Sequence, residues 1–263
     1  MKKTPVIAAQ LYTLRDFMRV PADMATTLKR VKKLGYDAAQ VSGVGPIDPA
    51  DLRKLMLDAG VTPIGAHVGL DKFRADLKGV AAYCHALGIS YVAIPWLDSK
   101  ACKTTADWKK LFREFEGFAT KLAKEGIRVQ YHNHMFEFEQ FGVKNGKGGT
   151  TLLEMLYAGT KTLQSELDFG WVARGGHSPA KWALRMAGRA DQVHLKDWSI
   201  VNGDEIVWRA VGEGGIDWPE VFKACRKAGT KYYIVEQDSC PITGDPFKSL
   251  AISRANLGKM GLG

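Results

Sequence analysis

The strongest constraint on this chain is a recurrence. A short apolar segment followed by an amphipathic one repeats eight times across 263 residues, at roughly 30-residue spacing, close to what a strand–helix unit requires. The run at 6–12 has the unbroken apolar character of a strand buried on both faces. Helical periodicity follows over 21–34 (Met24, Leu28, Val31, Leu34) and stops at Gly35. A second strand at 37–42 leads to a helix at 48–59, which opens on Asp48 as N-cap with Pro49 in its first turn. Further strands are predicted at 62–68, 90–96, from Arg128 onward, 163–169, 192–196 and 232–236. Helices are predicted at 71–87, 104–125, 150–158, 178–187, from Asp217 onward, and at 246–258. One short extra strand, 206–211, sits in a glycine-rich insertion after strand seven.

Alternating β and α elements imply parallel strands, and eight of them can close into a barrel. A doubly wound sheet would place a glycine-rich phosphate loop after strand one, yet residues 10–15 contain no glycine. No linker or shift of composition divides the chain. The expectation is therefore α/β: a single (β/α)8 TIM barrel over 1–263, with a small extra strand inserted after strand seven.

The formal charge of +9 favours anionic partners at long range. Basic residues come in pairs, such as Lys29-Arg30 and Lys32-Lys33, at helix-surface spacing, which describes a solvated face and argues against nucleic-acid binding. Cys84, Cys102, Cys225 and Cys240 form no C-x-x-C pair and fit the thiols of a reducing compartment. Residues 1–3 imitate the start of a secretion leader, but the apolar run that follows reaches only Ala9. No window supplies 18 uninterrupted apolar residues, so no membrane span is expected. A cytoplasmic enzyme is predicted, with assembly into a homo-oligomer left open; a leader removed ahead of residue 1 would leave no trace.

Barrel enzymes carry their chemistry at the C-terminal ends of several strands. Polar groups end or interrupt the apolar runs there: Gln10, His67, the cluster His132, Asn133, His134 and Glu137, then Asp168, His194 with Lys196, and Glu236. Burying such groups without partners is costly, so their recurrence on strands five to eight points to a site. Asp168, His194 and Glu236 offer two carboxylates and an imidazole, a mixed oxygen–nitrogen set suited to one divalent ion: Mn, Mg, Co, Fe or Zn. A fourth ligand is expected from strand five. Lys196, two residues past His194, faces the same way and suits a substrate oxygen or anion. His67 suits the same task or proton transfer, and Gln10 joins the predicted substrate-binding set. Trp171 is expected to wall the pocket against the C–H face of a sugar ring. His85 and His177 read as structural.

The pieces Tyr131-His-Asn-His-Met-Phe-Glu-Phe138, Glu166-Leu-Asp-Phe-Gly-Trp171, Val193-His-Leu-Lys-Asp197, Val211-Gly-Glu-Gly214 and Val235-Glu-Gln-Asp238 resemble the sugar phosphate isomerase/epimerase superfamily of xylose isomerase-like barrels. That group includes ketose 3-epimerases, inosose dehydratases and endonuclease IV. The resemblance implies a metal set of Glu, Asp, His and Glu from strands five to eight. Three of these carry over as Asp168, His194 and Glu236, whereas the strand-five position falls on Gln130. His132 is the natural replacement as ligand or base, with His134 and Glu137 in reserve for the same jobs. Glu236 doubles as base. Trp171 stands where endonuclease IV would need a further histidine for its three zinc ions.

The function implied is a metal-dependent sugar, sugar-derivative or cyclitol isomerase/epimerase, working through an enediolate stabilised by the metal. The alternative is a β-eliminating lyase or dehydratase on a keto-sugar or keto-glycoside. A competing class is a non-catalytic sugar-binding barrel, for which Gln130 speaks.

Overall fold

The structure is a computed structural model that describes residues 5–143 and 148–262; residues 1–3, the leader-like start, lie outside the described residues. Eight parallel strands close into a barrel: Val6–Gln10, Ala38–Val41, Thr62–His67, Tyr91–Ile94, Arg128–His132, Gln164–Asp168, Gln192–Leu195 and Tyr232–Val235. They are called strands one to eight here. Each pairs with its neighbours in the chain, and strand one closes on strand eight. The (β/α)8 barrel is therefore the fold.

Alternation along each strand sorts the side chains. On strand five, Tyr131 faces outward and stacks on Phe115 of the helix Thr105–Ala123, with ring centroids 5.8 Å apart. Trp108, Phe112, Phe115, Ala119 and Leu122 form that helix's buried stripe, at the three- and four-residue spacing an amphipathic helix needs. Thr104 and Asp107 close its N-terminus as a capping box. The inward-facing residues divide by depth. Ala8, Ala38, Ile64 and Ile234 form an apolar plug at one level, and polar side chains fill the barrel toward the strands' C-terminal ends.

Several local features depart from the expected pattern. The run at 6–12 is strand only to Gln10; Leu11–Phe17 is a 3-10 helix, its first turn held by Gln10 Oε1 accepting from the Tyr12 N–H. The helix expected over 71–87 is two, Leu70–Ala75 and Leu77–Leu87, because Asp76 leaves helical geometry (φ −153°, ψ 85°) to cap the second. Strand six runs directly into a short helix, Phe169–Arg174, which was not expected. The insertion after strand seven is a two-stranded hairpin, Asp197–Val201 with Glu205–Arg209, where one strand was expected. The buried Asp197 carboxylate accepts from the Gly212 and Gly214 N–H groups and from Trp218 Nε1, fastening the hairpin to the next helix, Trp218–Ala228. A Cβ on Gly214 would lie 2.2 Å from Asp197 Oδ1, so glycine is required there. Among the described residues no helix is long and apolar enough to cross a membrane.

Candidate metal centre

Strand five ends at His132, and the next two residues tie that end to strand six. Asn133 Oδ1 accepts from the Asp168 N–H at 3.0 Å, and Asn133 Nδ2 donates to the His134 carbonyl at 3.3 Å. Asp168, the last residue of strand six, caps the helix that follows: its Oδ1 accepts from the Trp171 N–H at 3.0 Å. That leaves Oδ2 fully buried, with the Lys196 ammonium as its neighbour. His194 on strand seven and Glu236, one residue past strand eight, meet at 2.6 Å between Nδ1 and Oε2.

One donor atom from each of His132, Asp168, His194 and Glu236 lies within 4.8 Å of the other three. Lys196 reaches into the same group. Its Nζ sits 3.2 Å from Asp168 Oδ2, 3.2 Å from Glu236 Oε2 and 2.8 Å from Asp238 Oδ1.

Burial and charge oppose each other here. Burial pushes the Asp168 carboxyl up to about 6, with Lys196 and His194 pulling the other way. For Glu236, burial is outweighed by Lys196 and His194, which hold it well below the usual carboxylate range. His194 rises to about 10 despite burial, because Glu166 and Glu236 flank it. Burial, reinforced by the His194 cation, keeps His132 neutral, and burial with the Lys196 charge lowers His134 to about 3.

The donor set fits a divalent ion. Three fully or nearly buried carboxylates, Glu166, Asp168 and Glu236, crowd this end of the barrel around Lys196 and His194. Crowded buried carboxylates favour a cation among them, and two carboxylate oxygens with two imidazoles match the hard-to-borderline ions of the first transition row. His132, Asp168, His194 and Glu236 would hold it.

The mouth above this group is a cavity of about 370 Å³ lined by Tyr12, Trp96, His67, His132, His134, Lys196, Glu236 and Asp238 among others, within the range of about 300–1,000 Å³ usual for small-molecule sites. A larger groove of about 580 Å³ runs from His67 past Val68 and Val80 to Tyr83, but its walls bring no comparable set of donors together. The clustered donors border the smaller one.

The other sequence-predicted site residues stand as follows. His67, His134 and Lys196 line the cavity. Trp171 stands behind it, its ring 5.6 Å from Lys196 Nζ and 5.3 Å from the His134 ring. Gln10 is fully buried and donates to Gln40 Oε1 at 2.6 Å, below the cavity. Glu137 stands apart from the four-residue donor group: it accepts from Tyr131 Oη at 2.5 Å and from the His134 N–H at 2.9 Å, holding the turn after strand five in shape. Gln130 donates to the Ser165 carbonyl, so no strand-five carboxylate faces the ligand set. Glu166, Gln40, Asp238 and Trp96 were not singled out from sequence. For two of them a signal existed, since Glu166 and Asp238 lie two residues from Asp168 and Glu236 and share their faces.

Fold and site together define an α/β barrel with a cation-competent polar mouth. The chain belongs to the xylose isomerase-like TIM barrel family, whose pattern matches residues 28–254. It is 22% identical over 261 residues to inosose dehydratase of Geobacillus kaustophilus (strain HTA426), covering 84% of this chain and 82% of that protein. Among solved structures it is similar to a sugar phosphate isomerase/epimerase from Parabacteroides distasonis ATCC 8503, with a TM-score of 0.81, 24% identity, and coverage of 97% of this chain and 94% of that one. It is also similar in fold to an L-ribulose 3-epimerase, with a TM-score of 0.71, 15% identity, and coverage of 97% and 93%.

Proposed function

We propose that this protein is a divalent-metal-dependent enzyme that removes the proton α to a carbonyl of a sugar, sugar derivative or cyclitol and expels a neighbouring hydroxyl as water. The observation that carries this reading is the convergence of His132, Asp168, His194 and Glu236 beside a mouth cavity that His132 and Glu236 line. A bound ion would supply Lewis acidity at the substrate carbonyl oxygen. Glu236, held ionised, is the base that takes the carbon-bound proton. Lys196, held as an ammonium by its three carboxylates against the effect of burial, provides a proton-rich group beside the departing hydroxyl. His67 and His134 bind substrate oxygens, and Trp96, largely exposed at the rim, offers a face for the ring's C–H groups. Elimination is favoured over epimerisation because strand five presents an imidazole and the averted Gln130 amide where a second carboxylate would be needed. The likeness to inosose dehydratase points the same way.

Isomerisation or epimerisation is the second reading. His134, kept neutral by burial and lining the same cavity, is a candidate base on the strand-five side.

The test incubates the protein with Mn²⁺ and a panel of keto-sugars and keto-cyclitols in D₂O, following deuterium uptake at carbon and loss of water. Uptake with water loss, abolished by chelation and in Asp168→Ala, supports the dehydratase reading. Uptake with an isomeric product moves the assignment to the second. Tight sugar binding with no metal and no exchange overturns both in favour of a non-catalytic sugar-binding barrel.

A further inference from the structure

Beneath the four candidate ligands lies a second, deeper cluster with no opening of its own. Glu166, fully buried on strand six, places Oε2 2.7 Å from His67 Nε2 and 3.3 Å from both His132 Nδ1 and His194 Nε2. Its other oxygen, Oε1, accepts from Gln40 Nε2 at 2.5 Å. Gln40 Oε1 in turn faces His194 Nε2 at 2.7 Å and accepts from Gln10 Nε2 at 2.6 Å.

These contacts have a polarity. A carboxylate only accepts, so Gln40 must turn its NH₂ to Glu166 and its carbonyl oxygen to His194 and Gln10. The far end of the chain agrees. The Tyr12 backbone N–H only donates, so Gln10 gives it Oε1 and turns its own NH₂ to Gln40. With both ends fixed, His194 Nε2 must carry hydrogen. His132 turns Nδ1 to Glu166 Oε2 at 3.3 Å, outside hydrogen-bond geometry but with no other acceptor beside it, so a hydrogen on Nδ1 is the arrangement that contact favours. The remaining nitrogens, His132 Nε2 and His194 Nδ1, are those that face the outer carboxylates: His132 Nε2 is 3.6 Å from Asp168 Oδ2, and His194 Nδ1 is 2.6 Å from Glu236 Oε2.

We propose that Glu166 is a positioning residue that fixes which ring nitrogen of two histidines keeps its hydrogen, His132 Nδ1 directly and His194 Nε2 through Gln40, so that an ion, displacing the His194 Nδ1 proton, takes the nitrogens that face the outer carboxylates. Ligating histidines need their second nitrogen committed to an acceptor, and one carboxylate serves both here. His67, His132, Glu166 and His194 also lie within 4.8 Å of one another, but Gln40 already engages both Glu166 Oε1 and His194 Nε2, which leaves the outer four as the ion's ligands.

The inference rests on the metal centre of the proposed function, and its test separates the two. Long-range ¹H–¹⁵N spectra of the histidine rings are recorded on wild type without metal and with Zn²⁺, and Zn²⁺ affinity is measured by chelator competition. Wild type should show His132 as the Nδ1–H tautomer in both states, and zinc-loaded His194 as Nε2–H. Glu166→Gln should disturb the His132 pattern and weaken Zn²⁺ binding by about 10–100-fold. Gln40→Met should disturb His194 and leave His132 unchanged. An Nε2–H tautomer for His132 in wild type, or a Glu166→Gln protein with unaltered ring signals and affinity, would overturn the proposal. Wild type that binds no zinc would defeat the metal centre, while the metal-free His132 spectrum would still decide the role of Glu166.

Discussion

Lys196 holds its ammonium nitrogen 3.2 Å from Asp168 Oδ2, an oxygen of a fully buried carboxylate. The protein's own cation thus touches one of the oxygens offered to a metal ion. Replacing it as Lys196→Met keeps the length of the side chain and removes the charge. In the absence of metal this should cost about 3–5 kcal/mol of stability, because buried carboxylates lose their partner. Added Mn²⁺ should raise the urea midpoint of the variant by more than that of wild type. Equal shifts would show that Lys196 and the ion do not share the same carboxylates.

Asp168→Asn should separate ligand from cap. The substituted side chain can still accept from the Trp171 N–H through Oδ1, so the helix Phe169–Arg174 keeps its N-terminal bond. The charge at Oδ2 is lost. Metal affinity should fall by at least the ~10–100-fold seen on removing groups one shell further out, with a smaller loss of stability than Lys196→Met, since Lys196 keeps Glu236 and Asp238. Metal content after desalting and a melting curve together check this; a lost fold with intact metal binding would refute it.

Glu137 makes stability depend on pH. Burial lifts its carboxyl to about 7, against the hydrogen bonds from Tyr131 and the His134 N–H that act to lower it. The folded pKa exceeds the unfolded one of about 4.3. Between those values the folded protein binds the extra proton, so the contribution is full below the unfolded pKa and is lost as pH rises through about 7. The Tm of wild type relative to Glu137→Gln should therefore decline from pH 5 to pH 8. A constant difference would mean that Glu137 is ionised throughout.

Gly170 lies against strand seven's end. A Cβ there would come 2.6 Å from Lys196 Cβ and 2.8 Å from its carbonyl oxygen. Gly170→Ala should destabilise by about 1–3 kcal/mol through overpacking. Gly117, inside the helix Thr105–Ala123, meets nothing within 4 Å. Gly117→Ala should stabilise by about 0.5–1 kcal/mol. Denaturant unfolding of the pair checks both, and the same sign for the two would contradict the packing argument.

What was legible in the sequence follows from short-range periodicity. Apolar runs, glycine stops and caps such as Asp48 and Thr104 act over a few residues, so eight strand–helix units and a barrel could be read directly. So could the residues at strand ends, because barrel closure brings those ends to one mouth: His132, Asp168, His194 and Glu236 meet as a consequence of topology. Tertiary structure decided what those groups do to one another. Glu137 and Gln10, polar and close to the same strand ends, turn to partners that no spacing announces, Tyr131 in one case and Gln40 in the other. Glu166 reaches His67 and Gln40, 99 and 126 residues away in the chain. Hydrogen-bond direction, burial and charge balance across a barrel are long-range quantities. Only the closed fold sets them, and they determine which nitrogen of a histidine is left bare.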